Sequence, residues 1–251
     1  VALSPESKEA QAFRQGLRDA GYAEGRDVVI EWRSANGDYA RVPELAADLV
    51  RRKVDVIFAD TTLATKAVRH ATATIPIVMA LPADPVGSGL VASLAHPGGN
   101  VTGLSTMVVE LNAKRLQLLK EAIPQMARVA VLWNPDMAYH TQALEDLKAA
   151  APSLSIKLNF VAARTAEEFG PAFWAVSRSH AQALYVMSDA IFVNRRAMLV
   201  KLATKARLPA IYGFRLYVDE GGLMSYGSNY ADHMRQSAGY VDKILKGAKP
   251  S

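Results

Sequence analysis

The chain has 251 residues, half of them hydrophobic, so it is long enough for one large domain or two small ones with a sizeable core. Charged residues make up 21% and the net charge is +5, with Lys and Arg scattered and Arg51-Arg52-Lys53 the densest run, so nothing compels nucleic-acid binding. Cysteine is absent, which excludes a disulfide framework and thiolate chemistry, and no apolar run approaches the length of a membrane span.

The chain opens on Val1-Ala2-Leu3-Ser4-Pro5, which reads as the tail of a strand entering a loop, with no signal peptide visible. Ser4 or Ser7 can cap a helix over Pro5–Ala20, with Ala12, Phe13, Leu17 and Ala20 as its stripe and Gly21 as its stop. Asp27–Arg33 alternates and predicts a strand; Ser34–Asp38 is a loop. A helix follows over Arg41–Arg52, buried through Val42, Leu45, Ala46, Leu49 and Val50. Val54–Ala59, apolar but for Asp55, has the pattern of a parallel strand covered on both faces. Thr61 or Thr62 caps the next helix, which runs to Ala73. Ile75–Met79 is a strand, Val86–Ala95 a helix, and Asn100–Leu104 a last apolar run. Short connections and βαβα alternation predict a doubly wound parallel sheet.

The alternation restarts after Ser105. Helices are predicted over Val109–Ile123, Tyr139–Ala150, Ala166–Ser179 (capped by Thr165), Ile191–Ala206 and Tyr230–Lys246, the last stopped by Gly247. Strands are predicted over Arg128–Trp133, Ser155–Val161, Ala183–Met187, Pro209–Tyr212 and Gly222–Tyr226. The fold class is therefore α/β, with two doubly wound, flavodoxin- or Rossmann-like lobes in tandem and a ligand cleft between them.

In open parallel sheets, ligands sit beyond the carboxyl ends of the strands, beside helix N-termini whose N–H groups attract anions. Those ends here are Ser4-Pro5, Asp60-Thr61-Thr62, Pro82-Ala83-Asp84, Asn134–Asp136, Ser188-Asp189 and Gly213-Phe214-Arg215. The ligand-binding candidates are Ser4, Thr61, Thr62, Ala83, Asp84, Asn134, Tyr139, Ser188, Asp189 and Phe214. Each Ser, Thr or Asp among them also makes a good helix cap, and that plainer role competes with ligand binding at every position. The hydroxyls and amides at Thr61 and Thr62 could converge on a ligand carboxylate.

Rival chemistries are weaker. Gly87-Ser88-Gly89-Leu90-Val91-Ala92 matches a dinucleotide fingerprint, with Glu110 as a ribose-binding acid. However, Pro82 and Pro85 separate it from the strand, and Pro97-Gly98-Gly99 breaks the path to Glu110. The histidines at 70, 96, 140, 180 and 233 have no metal-helix spacing and read as surface or core residues. No G-x-S-x-G elbow occurs, so no catalytic residue, metal or cofactor is assigned. Trp174 reads as core; Trp133 suits core or cleft.

The runs Phe13–Asp60 and Thr74–Ser105, the latter containing DPVGSGLVASLAHPGGNVTG, resemble the tryptophan-transporter-like substrate-binding proteins of ABC transporters, which have the periplasmic type I fold. RVAVLWNP, RLPAIYGFR, GGLMSYGSNY and YVDKILKGAKP, further along, are similar to the same family. The resemblance implies a complete first strand before residue 1 and a further segment after KGAKP. It implies that residues 1–104 and 229–251 form lobe 1 and 105–228 lobe 2, hinged near Leu104–Thr106 and Gly227–Asn229. It also places Asp189 at the ligand's amino group. The function implied is a non-enzymatic, monomeric receptor, periplasmic or lipid-anchored outside the cytoplasm. It closes on a small solute, an amino acid (aromatic ones included) or related small carboxylate, and delivers it to a membrane permease. The alternatives are the effector-sensing core of a transcription regulator with the same bilobed fold, and an α/β enzyme.

Overall fold

The structure, a computed structural model, describes residues 4–35, 38–106 and 111–250. The chain divides into two compact units: Val1–Thr106 with Asn229–Ser251, and Met107–Ser228.

In unit 1, Ser7 starts α1 (Lys8–Asp19) from an extended backbone, and its hydroxyl accepts the Ala10 amide at 3.1 Å. That satisfies one of the N–H groups a helix start leaves unpaired. α2 (Val42–Arg51) begins with Pro43 in its first turn, where a missing N–H costs nothing. β1 (Ile57–Ala59), α3 (Thr62–Ala71), β2 (Ile77–Met79) and β3 (Val101–Gly103) follow, and the strands pair in parallel in the order β1-β2-β3. β2 shows why the sheet is covered twice. Ile77 and Met79 face a core shared with Leu45, Leu49, Ala64 and Val68 of α2 and α3. Val78 faces a second core made by Phe13 and Leu17 of α1 and by Met234, Ala238 and Val241 of the returning helix Tyr230–Leu245. α1 and the returning helix approach so closely at Gly16 that a Cβ there would collide with the Arg235 carbonyl. Tyr22 donates to Asp242 at 3.0 Å across the same contact.

Unit 2 runs α4 (Asn112–Ala122), β4 (Arg128–Trp133), α5 (Ala138–Ala150), β5 (Lys157–Ala162), α6 (Phe169–Arg178), β6 (Ala183–Val186), α7 (Ala190–Asn194), α8 (Arg196–Lys205), β7 (Ala210–Tyr212), α9 (Leu216–Asp219) and β8 (Met224–Ser225). Its five strands are parallel in the order β5-β4-β6-β7-β8. Val129–Leu132 and Ala183–Val186 are buried at every position, as strands sandwiched between helix layers must be. Leu116 and Leu119 of α4 and Leu144 and Leu147 of α5 pack on Val129, Val131 and Tyr185. The returning helix, α10, then carries the chain back to unit 1.

Five local expectations need correcting. Asp27–Arg33 alternates in burial, with Val28, Ile30 and Trp32 on the core and Val29 79% exposed, but Asp27 still lies in a turn. Apart from one isolated bridge between Glu24 and Val28, it joins no ladder among the described residues. Alternation reports a half-buried extended face, whereas a strand also needs a hydrogen-bonding neighbour. Val86–Ala95 forms no helix; a tight turn spans 85–89, where Asp84 accepts the Gly87 amide at 2.7 Å and Gly89 sits at φ +68. With no helix after its glycines, the dinucleotide fingerprint lacks its context. Ile191–Ala206 is two helices, broken at Arg195 (φ −109, ψ 22). Thr165 makes no side-chain cap; a 3-10 turn, Ala166–Glu168, leads into α6, and Glu168 accepts the Arg164 amide at 2.8 Å. Trp174 is 63% exposed beneath the Arg178 guanidinium, because the buried stripe of α6 is Phe169, Ala172, Phe173 and Val176. The expected helix start at Val109, and Glu110 with it, lie outside the described residues, as do Val1–Leu3.

Candidate functional site

Each unit presents its own edge of strand ends. In unit 1, β1 runs into Asp60-Thr61-Thr62 and β2 runs toward Pro82-Ala83-Asp84. Thr61 is the cap of α3: its hydroxyl accepts the Ala64 amide at 3.2 Å, and its carbonyl accepts the Thr65 hydroxyl at 2.8 Å. The Thr62 hydroxyl accepts the Ala83 amide at 3.2 Å and ties the two strand ends together. Thr106 donates both its amide and its hydroxyl to the Pro82 carbonyl, each at 3.2 Å. The first-turn amides of Thr62 and Leu63 precede the first intrahelical acceptor and point out of the helix start, where an anion binds. Asp60 stands directly before the cap and is 3% exposed. Burial pushes its carboxyl up to about 6, against an opposing pull from the amino-terminal charge and then from the amides of Asp60 and Thr61. Its Oδ1 makes no hydrogen bond among the described residues.

In unit 2, Asn134, Tyr139, Ser188 and Asp189 meet around His140. Asp189 caps α7, with Oδ1 accepting the Ile191 and Phe192 amides at 2.7 and 3.3 Å. Its other oxygen accepts Asn134 Nδ2 at 3.2 Å. Three protein donors thus already occupy this carboxylate. The Asn134 amide donates to His140 Nδ1 at 3.0 Å, which leaves Nε2 to donate to the Ser188 carbonyl, also at 3.0 Å. Tyr139 donates to the same carbonyl at 2.9 Å. Burial lowers the His140 pKa and raises that of Asp189, so the imidazole is neutral. The Ser188 hydroxyl is buried with no hydrogen-bond partner among the described residues.

Of the remaining candidates, Ser4 stands apart and Phe214 lies at a strand end of unit 2. Ser4 is exposed ahead of α1, its carbonyl accepting the Ser7 amide at 3.1 Å. Phe214 is buried just past β7. A polar cluster beneath the unit 2 edge has no sequence counterpart. Arg115, 1% exposed, donates from Nε to the Tyr226 carbonyl at 2.6 Å and from Nη1 to Asn112 Oδ1 at 2.9 Å. Tyr185 donates to the same Asn112 oxygen at 2.6 Å. One signal was available: Arg115 sits beside Leu116 and four residues before Leu119, on the apolar face of α4, where a charge must find buried acceptors. No three His, Asp or Glu side chains among the described residues are grouped as metal ligands, and no described helix is long and apolar enough to cross a membrane.

Comparisons with known proteins agree on one relationship. The family model described as ABC transporter substrate binding protein matches residues 5–251. The tyrosine-binding protein of Clostridioides difficile (strain R20291) is 28% identical over 240 residues, 96% of this chain and 69% of that protein. A crystal structure of a conserved domain protein from Vibrio cholerae is 31% identical with a TM-score of 0.88, covering 97% of this chain and 81% of that one. The ABC domain from Streptococcus pneumonia in complex with L-Trp is 25% identical with a TM-score of 0.87, over the same shares.

Proposed function

The chain belongs to the ABC transporter substrate-binding protein family, and from that premise we propose that it is a receptor for an amino acid, aromatic ones included, or a related small carboxylate. Members of the family bind small solutes outside the cytoplasm and hand them to an ABC permease, and the fold is that of type I periplasmic binding proteins. Family membership selects the receptor over the regulator core.

The observation that carries the reading is the family match over residues 5–251, joined to two relatives associated with tyrosine and L-Trp. The unit 1 edge supports it, because Thr61, Thr62 and the start of α3 offer hydroxyls and amides to a carboxylate. Asn134, Tyr139, Ser188, Asp189 and Phe214 supply the unit 2 edge, where Asp189 holds Asn134 and α7 in place. Ala83 and Asp84 complete the unit 1 edge. The receptor works as a monomer, periplasmic or lipid-anchored, without turning its ligand over and without nucleic acid.

Titration calorimetry of the purified protein with L-tyrosine and L-tryptophan tests this. Saturable binding of either, with a smaller radius of gyration in solution scattering at saturation, is the expected result. Absence of binding to any amino acid, or a bound ligand that is chemically converted, would overturn it.

A further inference from the structure

Asp60 is the feature the receptor reading leaves unused. It occupies the last position before the cap of α3, so its carboxyl lies beside the helix start to which a ligand carboxylate would come. It is not the cap, because Thr61 fills that role. Oδ1 is buried and accepts no hydrogen bond among the described residues. Two charges bear on it: the amino-terminal ammonium, which favours its charged form, and, more weakly, Glu9 of α1, which is also an acid. A buried charge is poorly screened, so its effect on a ligand at the helix start is strong. A lone ligand carboxylate there meets repulsion from Asp60. A carboxylate that brings its own ammonium meets attraction as well.

We propose that Asp60 is a specificity-determining residue that admits a carboxylate to the α3 start only when the ligand also carries an ammonium group. Unit 1 then selects α-amino acids over their deaminated analogues. This rests on the amino-acid reading above.

The test is calorimetry of wild type and Asp60→Asn with L-tyrosine and with 3-(4-hydroxyphenyl)propionate. In wild type at neutral pH, L-tyrosine binds at least roughly tenfold tighter, the scale of one charge-assisted contact. Asp60→Asn weakens L-tyrosine and tightens the propionate, so that the preference shrinks by about tenfold or more. A second arm needs only wild type. Acidification through about pH 6 protonates the buried carboxyl and should tighten propionate binding, an effect absent in the variant. If wild type binds L-tyrosine and neither the variant nor acidification changes the preference, Asp60 has no such role. If wild type binds neither compound, the amino-acid reading falls and takes this inference with it.

Discussion

Asp60 and Asp189 each follow a buried parallel strand, each is at most 4% exposed, and burial pushes both carboxyls up. Their circumstances differ by one residue of register. Asp189 is itself the cap of α7 and holds two amides and the Asn134 side chain. Asp60 stands one place ahead of the cap, and the Ala64 amide goes to the Thr61 hydroxyl instead. An acid at the cap position is a structural fastener. The same acid one residue earlier keeps its charge for whatever comes to the helix start.

Truncating the two acids should separate them most. Asp189→Ala removes a cap and strands Asn134 without its acceptor, so it should lower the unfolding free energy by about 2–4 kcal/mol. Asp60→Ala should not lower it. Urea denaturation reads both, and an equal loss at the two sites would erase the distinction.

The pH dependence sharpens the contrast. Asp60 binds its proton more tightly in the folded protein, about 6 against an ordinary 3.8. Folding therefore loses stability as pH rises between those values, and the full penalty of roughly 3 kcal/mol stands above pH 6. Asp60→Asn should recover much of that at neutral pH and nothing below about pH 4. His140 has the opposite sign. Its pKa is lowered by burial, so its contribution is present above about 6.5, the unfolded value, and falls as pH drops through the folded one. His140→Asn should blunt the loss of stability on acidification, whereas Asp60→Asn should worsen it relative to neutral pH. Parallel responses of the two variants in melts across this range would contradict the assignment.

A smaller effect tests whether the unit 1 hydroxyls serve the ligand or the fold. Thr61→Val and Thr62→Val should each cost about 1 kcal/mol, from the lost cap and the lost bond to Ala83. Combined, they should weaken L-tyrosine binding by roughly tenfold or more. Retained affinity with reduced stability would leave Thr61 and Thr62 as caps alone.

Much of this was legible in the sequence because burial leaves a period. Runs such as Arg128–Trp133 announced strands, and Thr61 or Thr62 announced a helix start. What stayed hidden depends on partners distant in sequence. Asp27–Arg33 shows a strand's alternation but joins no ladder among the described residues, and Arg115 reaches Tyr226, 111 residues away. The break at Arg195 is not marked by any glycine or proline. Asp60 and Asp189 were both visible at strand ends; which of them caps a helix depends on a register that sequence reading places only to within a residue or two.

The return of α10 to unit 1 bears on how the chain is made. Unit 2 is one continuous stretch, whereas unit 1 is split between the two ends. A chain leaving the ribosome can complete unit 2 while Phe13, Leu17 and Val78 still wait for Met234, Ala238 and Val241. Tyr22 and Asp242 are 220 residues apart, so their bond is among the last that can form. The half-built unit 1 keeps an uncovered apolar face throughout synthesis, and that face is where a chaperone would have to hold the nascent protein.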